Sequence, residues 1–596
     1  MIAPATRLLI RHFVRGYLSR DGGPGSEKPM AVVAAMLVSP GLFLAVLFAA
    51  KYVTAPFPLP VDTAVGGLFD RLLFHCASFV LLVLVALIHW DRLALDARDA
   101  AILGVLPLSH GQVVRAKWTA TAIFGLGAAM LLSTLPSLIY PIVSVGRLEA
   151  SWGLVLALTG WQFLIGVLAG ATGFLGVIAL RETAWAVLGP RLFLRISAAL
   201  QGILVVTAIV AFFLLPSWAA RQVSSPIIRN PVTHRVDIEA TLAQPITPHA
   251  ASLWLPPVMW TGAFETLAGR KVAMIPPDAA LPRPIRIRGQ QRLREYWKVY
   301  AVFAGSLGRA ASVFVLLASL AALAAVWNGR TRAAGGALLP TRRSLLVTAV
   351  DRAAGLVPWP EARAGFGFSW RTLLRSQPHR LLLAVGLAGG LAAGTVGLFD
   401  EPPQRSALAD ASITLLSVQA LLVMCVAAGL RAALRRSADE QASWIYPMAW
   451  SGARALYDTG VVAASTIVAC GPIAILLPLY AQMFGLGGAL THALVGALLA
   501  LVLNEALVLR QSTLPLVEDA PATDAGKALP MLAVPAGVMT AAIVAGIERR
   551  APLVAIGLLL GLWLVLLVVR TMRRAPLDAL TATGMEESAI ELGLYR

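Results

Sequence analysis

Residues 152–180 read WGLVLALTGWQFLIGVLAGATGFLGVIAL, twenty-nine consecutive positions without a charged side chain. A helix crosses the ~30 Å hydrocarbon layer of a bilayer with about 20 mainly apolar residues, so this run is long enough to span it. Backbone polar groups in lipid must be satisfied within the segment, which selects a helix here. Comparable runs recur at about 30–50, 73–90, 116–141, 194–216 and 301–326, and again at about 379–398, 410–432, 456–480, 484–509, 529–547 and 552–570. Together they predict an all-α polytopic membrane protein of about twelve spans. The whole chain agrees: its 596 residues are 58% hydrophobic and 13% charged, with mean hydropathy +0.76. Soluble domains carry about 25% charged residues.

The net charge of +18 would suggest nucleic acid in a soluble protein, but basic residues collect in the cytoplasmic loops of membrane proteins. No nucleic-acid partner is therefore expected. An even number of spans puts both termini on one side. With that side cytoplasmic, the short outer loops hold only Lys51, Arg71, Arg147, Arg405, Arg549 and Arg550, while the inner segments hold most of the other Lys and Arg. Cys76, Cys425 and Cys470 lie in apolar runs without metal-ligand or disulfide spacing, and no metal site is expected. Arg7, Arg11, Arg15, Arg20 and Lys28 precede the first apolar run, the pattern of an uncleaved start-transfer helix rather than a cleaved leader.

The spans divide into two groups of six. Residues 1–326 form the first, with a Pro-rich 217–300 expected as a small extracytoplasmic cap between spans five and six. A basic inner linker with an amphipathic helix occupies 327–378. Residues 379–572 form the second half, and 573–596 a cytoplasmic tail. Two patterns suggest duplication. Asp99 to Pro107 follows span two and Asp439 to Pro447 follows span eight, each an acidic residue eight positions before a proline, offset by 340. Arg7-Leu-Leu-Ile-Arg11 and Arg371-Thr-Leu-Leu-Arg375 precede the first span of each half. In the former, Leu8, Leu9, Phe13 and Val14 alternate with Arg11, His12 and Arg15 at helical spacing. Such a helix lies in the interface with its arginines toward anionic lipid headgroups.

Within the first inner loop, LSHGQ at 108–112 lies one residue from LSGGQ, a nucleotide-gripping signature of transport ATPases. An ATPase also needs a phosphate-cradling G-x-x-x-x-G-K-[ST] loop. The single Gly-Lys pair, Gly526-Lys527, is followed by Ala528 and lacks the upstream glycine. No catalytic residue, ATP or magnesium site is expected on this chain. The stretch reads instead as a turn, Leu106-Pro107-Leu108-Ser109, in which Ser109 caps the helix that re-enters the membrane. Arg115 and Lys117 would anchor that helix at the inner surface. An ordinary capped hairpin between two membrane helices accounts for these residues equally well.

Asp91-Arg92-Leu93, Asp99 to Ser109 and Val114-Arg115-Ala116-Lys117 together resemble the permease subunits of type-two ATP-binding-cassette exporters, in which an acidic residue, a leucine-rich Pro-Ser turn and a Lys-bearing third span follow in that order. Leu253 to Glu265 is similar to an outer motif of bacterial members. The resemblance implies half-transporters of six spans, here two fused in one chain. It implies elbow helices carrying Arg7, Arg11 and Arg15, and Arg371 and Arg375. It further implies inner loops that dock on separate ATPase subunits, two in number, which would hold ATP and magnesium. Asp96, Asp99, Leu106, Pro107, Ser109, Arg115 and Lys117 would form the first loop, and Asp439, Glu440 and Pro447 the second. Short re-entrant helices would precede span six, and the location would be a bacterial plasma membrane. The second half departs from the pattern, since its loop lacks the Leu-Pro-Leu-Ser turn and its last two spans have no outer cap.

Among single residues, Glu505 in span ten is a membrane carboxylate and so a functional-site candidate, although Arg510 lies close enough to pair with it. Arg309 could line an anion path or anchor the outer end of span six. Trp254, Trp260 and Phe264, with Pro256, Pro257 and Glu265, fit interface aromatics or a gate for a hydrophobic substrate. Two other functions suit the same sequence: a proton-coupled secondary transporter built of two repeats, and a membrane scaffold subunit without a transport path. Nothing in the sequence ranks substrates.

Overall fold

In the computed structural model, residues 4–18, 30–54, 60–93, 103, 106, 108–145, 151–222, 250–275, 283–334, 352, 355, 359–400, 408–438, 454–509, 515–516, 537–549 and 552–574 are described. All regular structure among them is helical. The chain opens with α1 (Pro4–Leu18), α2 (Met30–Thr54), α3 (Pro60–Ile88), α4 (His110–Val145) and α5 (Trp152–Gln222). A 3-10 turn (Ala250–Trp254) leads into α6 (Pro256–Phe264), a π turn (Glu265–Gly269) and a last turn (Arg270–Ala273). Next come α7 (Arg283–Val302) and α8 (Ser306–Ala334), separated at Gly305. The remainder is α9 (Pro360–Arg375), α10 (Gln377–Asp400), α11 (Ile413–Leu434), α12 (Arg454–Leu509), α13 (Gly537–Glu548) and α14 (Pro552–Arg574). Pro60, Pro256, Pro360 and Pro552 begin their helices, where the missing N–H costs nothing.

Seven helices among the described residues are long and apolar enough to cross a membrane: Thr63–Ile88, Gly111–Val145, Trp152–Leu194, Ile196–Ala219, Gly289–Asn328, Ile413–Leu434 and Leu456–Ala506. Their surfaces carry large apolar side chains that water would penalise, among them Leu156, Ile203, Leu316, Leu323 and Ile475. The protein is an α-helical membrane protein. The described residues of the twelve expected stretches fall almost entirely in helices, and among the described residues seven segments, not twelve, meet the length and composition of a span. Parts of stretches one, eleven and twelve lie in the shorter apolar helices Val38–Thr54, Gly537–Glu548 and Ile556–Thr571. Stretch seven lies in α10, and nine and ten share α12.

The long helices α5 and α12 are each interrupted at one glycine. Gly189 has φ 70° and ψ 164°, and Gly485 has φ 72° and ψ 169°. Only glycine occupies that region at ordinary cost, and another residue there stores about 1–3 kcal/mol. Both sites are sterically open, so the penalty is conformational alone. Gly485→Ala is expected to destabilise the protein by about that amount. Gly487→Ala, in open space at a helical position, is expected to be neutral or stabilising. Thermal melts of the two variants in one detergent compare them.

Contacts divide the chain into two units, Met1–Ser197 with Ala211–Leu339, and Ala198–Val210 with Pro340–Arg596. In the first, α4 packs on α1, α2 and α3, and α6 is held by α3 and α8. Pro257 through Phe264 are all buried, so this part of 217–300 packs into the interior of the first unit. In the second, α10 packs on α11 through glycines. A Cβ on Gly386 would sit 2.6 Å from the Cys425 carbonyl, and one on Gly429 2.8 Å from that of Leu382. Small residues of this kind let membrane helices approach closely.

Candidate functional site

At one end of α4 lies the LSHGQ stretch. Gln112 N–H donates to Ser109 Oγ at 3.3 Å, and Ser109 N–H donates to Gln112 Oε1 at 3.0 Å. This reciprocal pair is a capping box, so the two polar residues of the nucleotide-signature likeness serve to start a helix. Leu106 and Ser109 are exposed, as is Arg115, whose Nε donates to Gly111 O at 3.1 Å. Asp96, Asp99, Pro107, Asp439, Glu440 and Pro447 lie outside the described residues.

Helix α1 is seated on this end of α4. Leu9, Phe13 and Tyr17, spaced one turn apart, are buried, while Arg7, Arg11 and Arg15 are exposed. Leu8, expected on the apolar side, is 67% exposed, because at 3.6 residues per turn it falls beside the arginines. Lys117 is not the surface anchor its sequence position suggests. It is buried beneath α1, its Nζ 4.7 Å from the Phe13 ring centre and 5.0 Å from that of Tyr17, a cation–π geometry. Tyr17 stacks on Phe124 at 4.9 Å and its hydroxyl lies 2.7 Å from Thr121 Oγ1. The same hydroxyl donates to Arg92 O at 3.1 Å, and Arg92 Nη1 returns a bond to Gly16 O at 2.8 Å.

In the second unit α9 is seated on the corresponding end of α12. Gly365, Phe366 and Ser369 are buried, and Arg371 and Arg375 are exposed. The approach is so close that a Cβ on Gly460 would penetrate the Ala362 carbonyl, and one on Gly365 the Tyr457 carbonyl.

At the far end of α4 in the first unit is a buried polar constellation. Arg71 of α3 and Glu265 of the π turn are both nearly inaccessible and pair at 2.5 Å, from Nε to Oε1. Arg71 also donates from Nη1 to Tyr140 OH (2.7 Å) and from Nη2 to Ala64 O (2.8 Å). Tyr296 of α7 donates to the other Glu265 oxygen at 3.0 Å. Beside them Lys51 and Tyr52 of α2 bind Asp70 at 2.7 and 2.6 Å. Four helices and the π turn are thus tied by charge-assisted bonds, the strong kind. A Cβ on Gly269 would collide with the Glu265 carboxylate, and π turns recur at functional sites. Thr63, Arg71, Tyr140, Ser144, Leu158 and Phe264 line a cavity of about 10 Å³, a single-water size.

Of the residues singled out as a gate, Trp260 is buried with its Nε1 donating to Thr172 Oγ1 at 2.9 Å, and Phe264 lies under the Arg71 guanidinium at 5.7 Å. Pro257 is buried and Pro256 half-buried, both at the start of α6, whereas Trp254 is exposed. The aromatics therefore do not form one surface. Arg309 closes on its own helix end, bonding Ala304 O and Ser306 Oγ. Glu505 is buried and accepts from Arg570 Nε of α14 at 2.9 Å.

Arg71, Asp70, Tyr140 and Tyr296 were not singled out from the sequence, where Lys51 and Arg71 read as outer-loop cations. The signal was Pro60, which starts α3 early enough to carry Asp70 and Arg71 inside the helix, where a charge marks function. Comparison with known protein families, with curated proteins and with solved structures finds no match.

Proposed function

We propose that this chain is the membrane-spanning permease subunit of an ATP-driven exporter in a bacterial plasma membrane, with ATP and magnesium held by two separate ATPase subunits. The observation that carries the reading is the elbow joint. An amphipathic helix with exposed arginines is seated on the start of α4 in one unit and on the start of α12 in the other, each next to an inner segment resembling a docking loop. Two such joints suit two half-transporters in one chain. At ~1.5 Å per residue the α12 span of fifty-one residues is about 75 Å long, over twice the hydrocarbon thickness. Its break at Gly485 suits two crossings, and with α2, α10, α13 and α14 crossing as well the total is twelve, termini inside.

The mechanics follow from α4. Lys117, clamped by α1, and Tyr140, bound to Arg71, lie on one helix about 35 Å apart along its axis. A push delivered to the loop before Ser109 by closing ATPases reaches the Arg71–Glu265 site along that rod. α1 holds the driven end, and the π turn receives the motion. The direct test reverses the charge at Asp99 together with Pro107→Gly. The expected result is loss of ATPase binding and of substrate-stimulated hydrolysis; an unchanged complex and rate would overturn the coupling role.

A second reading, proton-coupled transport without ATPases, is favoured by one pair in the second unit. His492 Nδ1 lies 2.8 Å from Glu548 Oε1, both wholly buried. Uptake into proteoliposomes under an imposed proton gradient alone would support it over the first.

A further inference from the structure

Several buried polar groups of the first unit have no hydrogen-bond partner among the described residues. Gln162 of α5 is fully inaccessible, and neither its Nε2 nor its Oε1 is bonded. The hydroxyls of Ser78, Ser133 and Ser137 and Nε2 of His75 are in the same condition. They come from three helices that converge. A Cβ on Gly166 of α5 would meet the Phe74 ring of α3 and lie 3.1 Å from Ser133 Oγ of α4. Gln162 is one turn from Gly166 on the same face, and Ser137 one turn from Ser133. Both steps lead toward the cavity that Arg71, Tyr140, Ser144 and Leu158 line.

A membrane interior offers no bulk solvent to satisfy such groups, and leaving a primary amide bare there is costly. Their chemistry defines the guest. The amide and the serines both donate and accept. Thr261 Oγ1 donates to Pro257 O and so accepts from His75 Nδ1–H at 2.9 Å, which leaves His75 Nε2 an acceptor. The adjoining Arg71 charge is already met by Glu265. A mixed donor–acceptor lining without spare charge, beside a cavity of single-water size, suits water and not an ion.

We propose that the first unit encloses a file of internal waters, running from the Arg71 cavity past Ser137 and Gln162 to Ser133, His75 and Ser78. From Ser144 to Ser133 the file follows about 16 Å of α4, half the ~30 Å hydrocarbon core. It brings water to the Arg71–Glu265 pair at membrane depth, so that the pair can part without leaving bare charges. The inference rests on the membrane placement and is independent of the ATPase reading.

The test is a density map of the full chain in lipid nanodiscs at a detail that resolves ordered water. Peaks of water size within hydrogen-bond distance of the Gln162 amide, bridging it to Ser133 or Ser137, are expected. Direct closure of the amide on those hydroxyls, or a density too large for water, overturns the proposal. Thermal melting gives a second readout whose sign decides. A bare amide is relieved by Gln162→Leu and the melting temperature rises, whereas a hydrated amide takes its bridges with it and the temperature falls by about 2–4 °C. Ser137→Ala, a milder deletion, moves in the same direction as Gln162→Leu and serves if that variant does not fold.

Discussion

Arg71→Met is expected to lower the stability of the folded protein by about 3–5 kcal/mol, the loss that follows removal of one partner of a buried ion pair. The cause is the residue left behind. Glu265, 1% exposed, would keep its bond from Tyr296 but lose the guanidinium that neutralises it. Tyr140 and the Ala64 carbonyl would lose a donor as well. Glu265→Leu alone is expected to cost a similar amount by stranding Arg71. The double variant Arg71→Met with Glu265→Leu should recover a large part, since a buried pair replaced by apolar residues of like volume is often neutral. Thermal unfolding of the three variants in one detergent measures this, and a double variant no better than the sum of the two singles would show that the pair does not act as a unit.

Gly460→Leu is expected to be damaging too, by a smaller amount and through shape rather than charge. The atoms a side chain would meet are the Ala362 carbonyl and, at 2.7 Å, the Phe366 amide nitrogen. Both are backbone, so no rotamer change relieves the clash and α9 must lift from α12. Overpacking of this kind costs about 1–3 kcal/mol. Gly471→Ala on the same helix, where nothing lies within 4 Å, is the control and should be tolerated. If α9 is an elbow that positions a docking loop, Gly460→Leu should also weaken ATPase association more than its thermal shift alone explains.

How far each feature could be read from the sequence depended on whether its signal was local. The face of α1 was legible because Leu9, Phe13 and the arginines recur at helical spacing within one short stretch. Ser109 as a cap was legible because its partner, Gln112, is three residues away. The Arg71–Glu265 pair was not, since 194 positions separate the two residues and Arg71 alone reads as an outer-loop charge. Lys117 misled for a related reason: a lysine at a span end ordinarily snorkels to water, and only the arrival of Phe13 and Tyr17 from a separate helix buries it. Among the described residues the span count differs because α12 joins two apolar stretches into one helix with a single glycine break, and because the described parts of stretches one, eleven and twelve are shorter than a span. Polar residues inside apolar runs, such as Gln162, carry no pattern at all until three helices meet around them.

The central claim is that this chain works with separate ATPases, and purification from native membranes under mild detergent tests it most directly. The account predicts that a nucleotide-binding subunit of roughly 25–35 kDa, an ordinary domain size, is recovered with the chain at two copies per copy, and that the complex hydrolyses ATP. Recovery of the chain without such a subunit, together with transport by the reconstituted chain alone under a proton gradient, would contradict it.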